Sequence, residues 1–173
     1  MEDLSRRDLL KLGAAATLTA SLGVGESLAQ APAAPVFFTP QEFALVDELS
    51  EMIIPTDEHS PGARAAKVAA YLDSRLPEWE ERDQWREGLK LVEQLSQQAH
   101  GKPFLQSAPD ERTAVLTRMA QNEGKPQKPE ELFFAELKAK VVHAYYTSEI
   151  GIKQEMEYKG NSYLAEFAGT DVS

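Results

Sequence analysis

Cysteine is absent from all 173 residues. Its absence excludes disulfides, thiol catalysis, covalent c-type haem attachment, thiolate-held iron–sulfur clusters and a lipid-anchored N-terminal cysteine. Stability therefore has to come from packing. Positive charge is also scarce, with 18 Lys and Arg against 28 Asp and Glu, for a formal net charge of −10. An acidic chain gains nothing from counterion release on nucleic acid and is repelled by anionic headgroups, so neither partner is expected. Long apolar runs are missing too. The uncharged stretch Leu12 to Val24 is about thirteen residues, short of the roughly 20 needed to span a bilayer. No segment alternates with period two for long enough to make a strand.

What the N-terminus does contain is ordered. Ser5-Arg6-Arg7-Asp8-Leu9-Leu10-Lys11 has the twin-arginine pattern, with Leu9 where Phe is common. The mild apolar stretch follows, and Ser27-Leu28-Ala29 places small side chains at the positions a signal peptidase reads. These features predict a twin-arginine signal over 1–29, cut after Ala29, and a mature protein in the periplasm. The signal holds four acids and three bases, so the mature chain keeps 24 acids and 15 bases, net −9. About 144 residues remain, enough for one domain with its own core and too few for two.

The mature region reads as all-α, a single domain of about five helices. Residues 30–38, rich in Pro and Ala, read as an extended linker. Thr39-Pro40-Gln41-Glu42 opens the first helix with a capping residue, a proline at the first helical position and a capping-box acid. Phe43, Val46, Leu49 and Ile53 follow at helical spacing, and Pro55 stops it. A polar loop leads to Ser60-Pro61, which opens a second helix carrying Val68, Tyr71, Leu72 and Leu76 and closed by Pro77. The third, over roughly 78–99, has Glu78, Glu80, Glu81 and Asp83 as an acidic first turn. Its apolar face is Trp85, Leu89, Val92 and Leu95, and Gly101 and Pro103 end it. Ser107 to Asp110 caps a fourth helix bearing Val115, Leu116 and Met119. A fifth spans Glu130 to Ser148, with Phe133, Leu137, Val141, Ala144 and Tyr145. The helical domain is thus 39–149, and 150–173 reads as an irregular tail bearing Tyr158, Tyr163 and Phe167.

A catalytic constellation is not legible in these residues. His59, His100 and His143 have neither zinc-protease nor di-iron spacing. His100, at a helix end beside Gly101, reads as a cap on the carbonyl end of the dipole. Asp57-Glu58-His59 reads as a solvated loop rather than a cation site. No glycine-rich phosphate cradle and no Gly-x-Ser-x-Gly elbow occurs. Trp79 and Trp85 cannot share one narrow helical stripe; one core tryptophan beside an exposed one, or beside one meeting a partner, both fit. No catalytic, cofactor-binding or metal residue is assigned.

Several blocks in order carry a resemblance. Phe38-Thr39-Pro40-Gln41-Glu42, Ile53-Ile54-Pro55-Thr56-Asp57 and Ser60-Pro61-Gly62-Ala63 come first. Tyr145-Tyr146, Glu149-Ile150-Gly151 and Tyr158-Lys159-Gly160-Asn161-Ser162-Tyr163 come later. Together they resemble the gluconate 2-dehydrogenase subunit 3 family, with residues 78–130 matching in pattern only. Ile152-Lys153-Gln154-Glu155 departs from the tryptophan-containing stretch frequent there. The resemblance implies a non-catalytic small subunit that escorts a partner through the twin-arginine translocon and stabilises it. The partner it implies is a glucose–methanol–choline type flavoprotein carrying FAD, with a haem-bearing cytochrome c subunit beyond it. A partner interface is then expected at the turn, with Pro55, Pro61, Gly62 and Ala63, and at the tail, with Tyr145, Tyr146, Gly151, Tyr158, Gly160, Asn161 and Tyr163. The alternative is a stand-alone periplasmic helical module binding a small ligand without an enzyme partner.

Overall fold

The computed structural model describes residues 34–158. Arg6, Arg7, Ala29 and the rest of the signal, like Gly160, Asn161, Tyr163 and Phe167 of the tail, lie outside the described residues. Among the described residues the fold is all-α, without a strand. Helix α1 spans Pro40–Ile53, α2 Gly62–Ala65, α3 Val68–Arg75, α4 Arg82–His100, α5 Pro109–Met119 and α6 Pro129–Tyr146. Short 3-10 turns at Leu76–Glu78 and Phe104–Gln106 flank α4, and a π-helical turn, Gly151–Glu155, follows α6.

The α1 start forms as the residues dictate. The Thr39 hydroxyl accepts the Glu42 N–H at 3.2 Å, and Glu42 accepts the Thr39 N–H at 2.8 Å. Leu45 joins Val46 and Leu49 in the core, while Phe43 and Ile53 are half-buried. The segment just upstream is held too. The Asp73 carboxylate on α3, 4% exposed, accepts three successive N–H groups, from Val36, Phe37 and Phe38, at 2.6, 3.0 and 2.8 Å. Arg86 of α4 donates to the Phe37 carbonyl at 2.7 Å and lies over its ring. Phe38, assigned above to the linker, is therefore part of the core.

The expected second helix is two. Lys67 takes a left-handed conformation, φ 56°, and separates α2 from α3. The break has a packing reason. Ala63 and Val68 are both fully buried, and residues five apart on an unbroken helix point about 140° away from each other. The next helix starts later than expected. Leu76-Pro77-Glu78 forms the 3-10 turn and Trp79 is extended, so α4 begins at Arg82. Glu78, Glu80 and Glu81 precede it, and of the four acids only Asp83 lies in its first turn. Trp79 is the half-buried tryptophan, with the Lys140 ammonium 4.1 Å from its ring centroid; Trp85 is fully buried.

Ser107 does not cap α5. The backbone N–H of Ala108 donates to Glu111 at 2.7 Å there, and the Ser107 hydroxyl meets that of Ser96 at 3.0 Å, joining α5 to α4. The start of the expected irregular tail is also ordered. Met156 donates to the Gly151 carbonyl at 3.0 Å, the long-span bond of a π turn.

Helix α6 lies against α1, α3, α4 and α5, so its core side chains Phe133, Phe134, Leu137, Val141 and Tyr145 are covered from several sides. Its contact with α4 is made by aromatic rings and a hydrogen bond. Trp85 packs edge-on to Phe133 with ring centroids 5.8 Å apart, and its Nε1 donates to Glu136 at 2.8 Å. Gly88 faces the same ring, where a Cβ would sit 2.0 to 2.3 Å from three ring carbons. At the α6 start, Glu131 is 1% exposed and gathers the preceding loop. It accepts from the Gln127 and Lys128 N–H groups at 2.9 and 3.2 Å and from Asn122 at 2.7 Å. Those two backbone donors, helped by Asn122 and the Lys128 charge against the opposing effect of burial, lower its pKa from 4.5 to about 2.

Two consequences are measurable. Gly88→Ala drives a methyl into Phe133, and denaturant unfolding should show a loss of about 1–3 kcal/mol, as for overpacked cores. The Glu131 carboxylate stabilises the fold fully above its unfolded pKa of 4.5, and this is lost as pH falls toward about 2. In thermal melts across acid pH, wild type should lose its advantage over Glu131→Gln within that window.

Candidate partner interface

The turn between α1 and α2 is built around one carboxylate. Glu51, in the last turn of α1, accepts the Thr56 N–H at 3.0 Å and the Arg64 N–H at 2.8 Å. The Thr56 hydroxyl is 2.8 Å from the same carboxylate. Burial works to raise the Glu51 pKa; the hydrogen bonds from Arg64 and Thr56 outweigh it and hold the carboxyl below its usual value. Around it the chain folds tightly. Ala63 donates to the Ile54 carbonyl at 2.9 Å, closing the loop end to end. Asp57 accepts the His59 and Ser60 N–H groups, both at 2.8 Å, and these two bonds, with His59 nearby, lower its pKa.

Gly62 is required here by its backbone. Its φ is +72°, and a Cβ would lie 2.6 Å from the Thr56 nitrogen. Outside the turn, Arg64 pairs with Asp47 at 2.7 Å and with Glu48 at 2.8 Å, and Arg112 of α5 reaches the other Glu48 oxygen. Those charges tie α2, α1 and α5 together on the surface.

The turn and the end of α6 are then joined. The Ser60 hydroxyl, 6% exposed as a residue, hydrogen-bonds the hydroxyl of Tyr145, which is fully buried. Burial, followed by the surrounding acids, raises the Tyr145 pKa. Tyr145 in turn sets the chain's exit from α6. Its carbonyl accepts from the Ser148 hydroxyl at 2.6 Å, and that oxygen accepts the Gly151 N–H at 3.0 Å. A Cβ on Gly151 would sit 2.1 Å from the Tyr145 carbonyl oxygen, so the helix can turn only at a glycine.

The residues expected at an interface thus divide. Gly62, Ala63, Tyr145 and Gly151 are buried and shape the turn and the helix end. Pro55, Tyr146 and Tyr158 are exposed, and Pro61 is half-buried. Glu51, which organises the turn, carries no local signal of that role, and Ser60 reads in the sequence only as a helix start. The exposed Leu132 on α6 does carry a signal, because Leu132-Phe133-Phe134 puts three large apolar residues in succession and one helix face cannot bury all of them.

His59 and His143 are exposed, and His100 ends α4 with Nδ1 3.9 Å from Glu111. No group of three or more His, Asp or Glu converges as a ligand set among the described residues. No helix among them is long and apolar enough to cross a membrane.

These features define a small all-α domain whose two groups of motif residues, Ile54 to Ala63 and Tyr145 to Gly151, are adjacent parts of one structure. The sequence model of the family described as gluconate 2-dehydrogenase subunit 3 matches residues 40–163, and the chain belongs to that family. Neither a curated protein nor a solved structure matches it.

Two substitutions separate the turn from the joint. Gly62→Ala should cost about 1–3 kcal/mol, because the methyl meets backbone in a conformation disfavoured for L-residues. Tyr145→Phe removes only the hydroxyl partner of Ser60 and should cost about 1 kcal/mol by denaturant unfolding.

Proposed function

We propose that this chain is the non-catalytic small subunit of a dehydrogenase complex that oxidises a sugar or sugar acid. It binds a glucose–methanol–choline type flavoprotein carrying FAD, stabilises it, and escorts it through the twin-arginine translocon to the periplasm. A c-type cytochrome subunit accepts the electrons. The observation that carries this reading is membership of the subunit 3 family across residues 40–163. The Arg6-Arg7 pattern supports the escort role. That route chiefly takes cargo folded in the cytoplasm, often around an inserted cofactor. A flavoprotein without a signal of its own would need a folded companion that has one. The absence of cysteine supports placing any c-type haem on a different chain.

The joint between turn and helix end suits this role. A subunit that stabilises a partner has to present a fixed surface. The Ser60–Tyr145 bond and the Glu51 hydrogen bonds order the loop and the α6 end before any partner is met, which lowers the entropy lost on association.

Replacing Arg6 and Arg7 together by Lys and fractionating the cells tests the reading. Both this protein and its flavoprotein should be retained in the cytoplasm. Normal amounts of flavoprotein in the periplasm of that strain would show that it travels without this subunit.

A further inference from the structure

Five large apolar side chains are exposed among the described residues: Val36, Leu132, Tyr146, Met156 and Tyr158. Four of them lie near the ends of the described chain, within the segment before α1 or from the last residue of α6 onward. Leu132 does not. It stands 52% exposed near the start of α6, away from both ends of the described chain. Beside it runs a groove of about 450 Å³ between α4 and α6.

The groove exists because of the α4–α6 contact already described. Gly88 has no side chain and the Phe133 ring occupies the place a Cβ would take, so the two helices meet closely there and the groove runs alongside that contact. Its apolar side chains are Leu91, Pro129, Leu132 and Phe133. All its charged lining residues are acids, Asp83, Glu87 and Glu136. Glu136 is fixed by the Trp85 indole. Asp83 is met at 3.8 Å by Arg82 and Glu87 at 2.7 Å by Lys90, in exposed pairs that contribute little and can be exchanged for an incoming cation.

An apolar floor with a rim of one charge sign selects its occupant. A second copy of this chain, with its net charge of −10, would bring more acid to an acidic rim. Nucleic acid and anionic lipid are repelled on the same ground. The complement is a polypeptide segment with large apolar side chains flanked by Lys or Arg.

We propose that the α4–α6 groove is the site where this subunit holds its flavoprotein, through a segment of the flavoprotein that seats an apolar side chain against Leu132 and Leu91 and places Lys or Arg against Asp83 and Glu87. The proposal rests on the subunit reading above and adds which face is used and what chemistry it meets. It moves the principal contact away from the turn, leaving Ser60 and Tyr145 as internal supports.

The test is co-purification of the complex expressed from its native host, read by flavin absorbance per small subunit and by affinity after separation and remixing. Two variants are compared with wild type: Leu132→Glu, and the double Asp83→Lys with Glu87→Lys. Both alter exposed positions, so circular dichroism and thermal melting of the free subunit should stay near wild type. Each should weaken flavoprotein binding by about tenfold or more, the size expected for a central contact. Wild-type binding should weaken as salt rises, and the charge-reversed variant should lose that dependence. Unchanged flavin recovery with both folded variants would overturn the groove as the site while leaving the subunit reading intact. A wild-type subunit that purifies without flavin would overturn the subunit reading itself. Dimerisation of the wild-type chain, abolished by Leu132→Glu, would assign the groove to self-association and overturn the proposal.

Discussion

The contact between α4 and α6 at Gly88 and Phe133 governs most of what the domain presents. Where a residue has no side chain, a neighbouring helix can approach until an aromatic ring lies on backbone. Gly88 allows this and any larger residue prevents it. Trp85 and Glu136 bridge the same two helices one turn away, so the crossing is set by ring packing and by a directional hydrogen bond together. Because α6 also touches α1, α3 and α5, its placement against α4 positions the remainder of the core.

A second set of restraints works through polar groups, and each is a carboxylate that collects backbone N–H groups. Asp73 takes three from the segment before α1, Glu51 takes one from the turn and one from α2, and Glu131 takes two from the loop before α6. Backbone donors left unpaired on burial are costly, and a carboxylate with two oxygens satisfies several of them at once. The acidic composition that disfavours nucleic acid as a partner therefore has internal work as well. These groups order three connections that carry no regular structure of their own.

Much of the architecture was legible in the chain. The capping box at Thr39 and Glu42, the stop at Pro55, the α4 face of Trp85, Leu89, Val92 and Leu95, and the glycine end at Gly101 all follow from local rules. The points of departure share a cause. Lys67 breaks a helix because Ala63 and Val68 must both face inward, and Trp79 delays α4 while its ring packs under Lys140. Ser107 bonds Ser96 rather than capping α5, since its hydroxyl is buried where α4 and α5 meet. Propensity and spacing speak for one segment at a time, and in each of these places a neighbour from elsewhere in the chain decides.

The sequence by itself determined the helical class, the family, the lack of thiol chemistry and the acidic balance, because composition and short-range periodicity carry them. The twin-arginine pattern belongs to that same level. Only the tertiary structure decided what the motif residues do. Gly62, Tyr145 and Gly151 are spread over 90 positions, and the fold brings them into one joint whose side chains are buried. It also opened an acid-rimmed apolar groove around Leu132, where the run Leu132-Phe133-Phe134 marks only one apolar side chain too many for a single buried face. A groove is a relation between two helices, fixed by how closely their backbones can approach, and that distance is set by packing across the whole core.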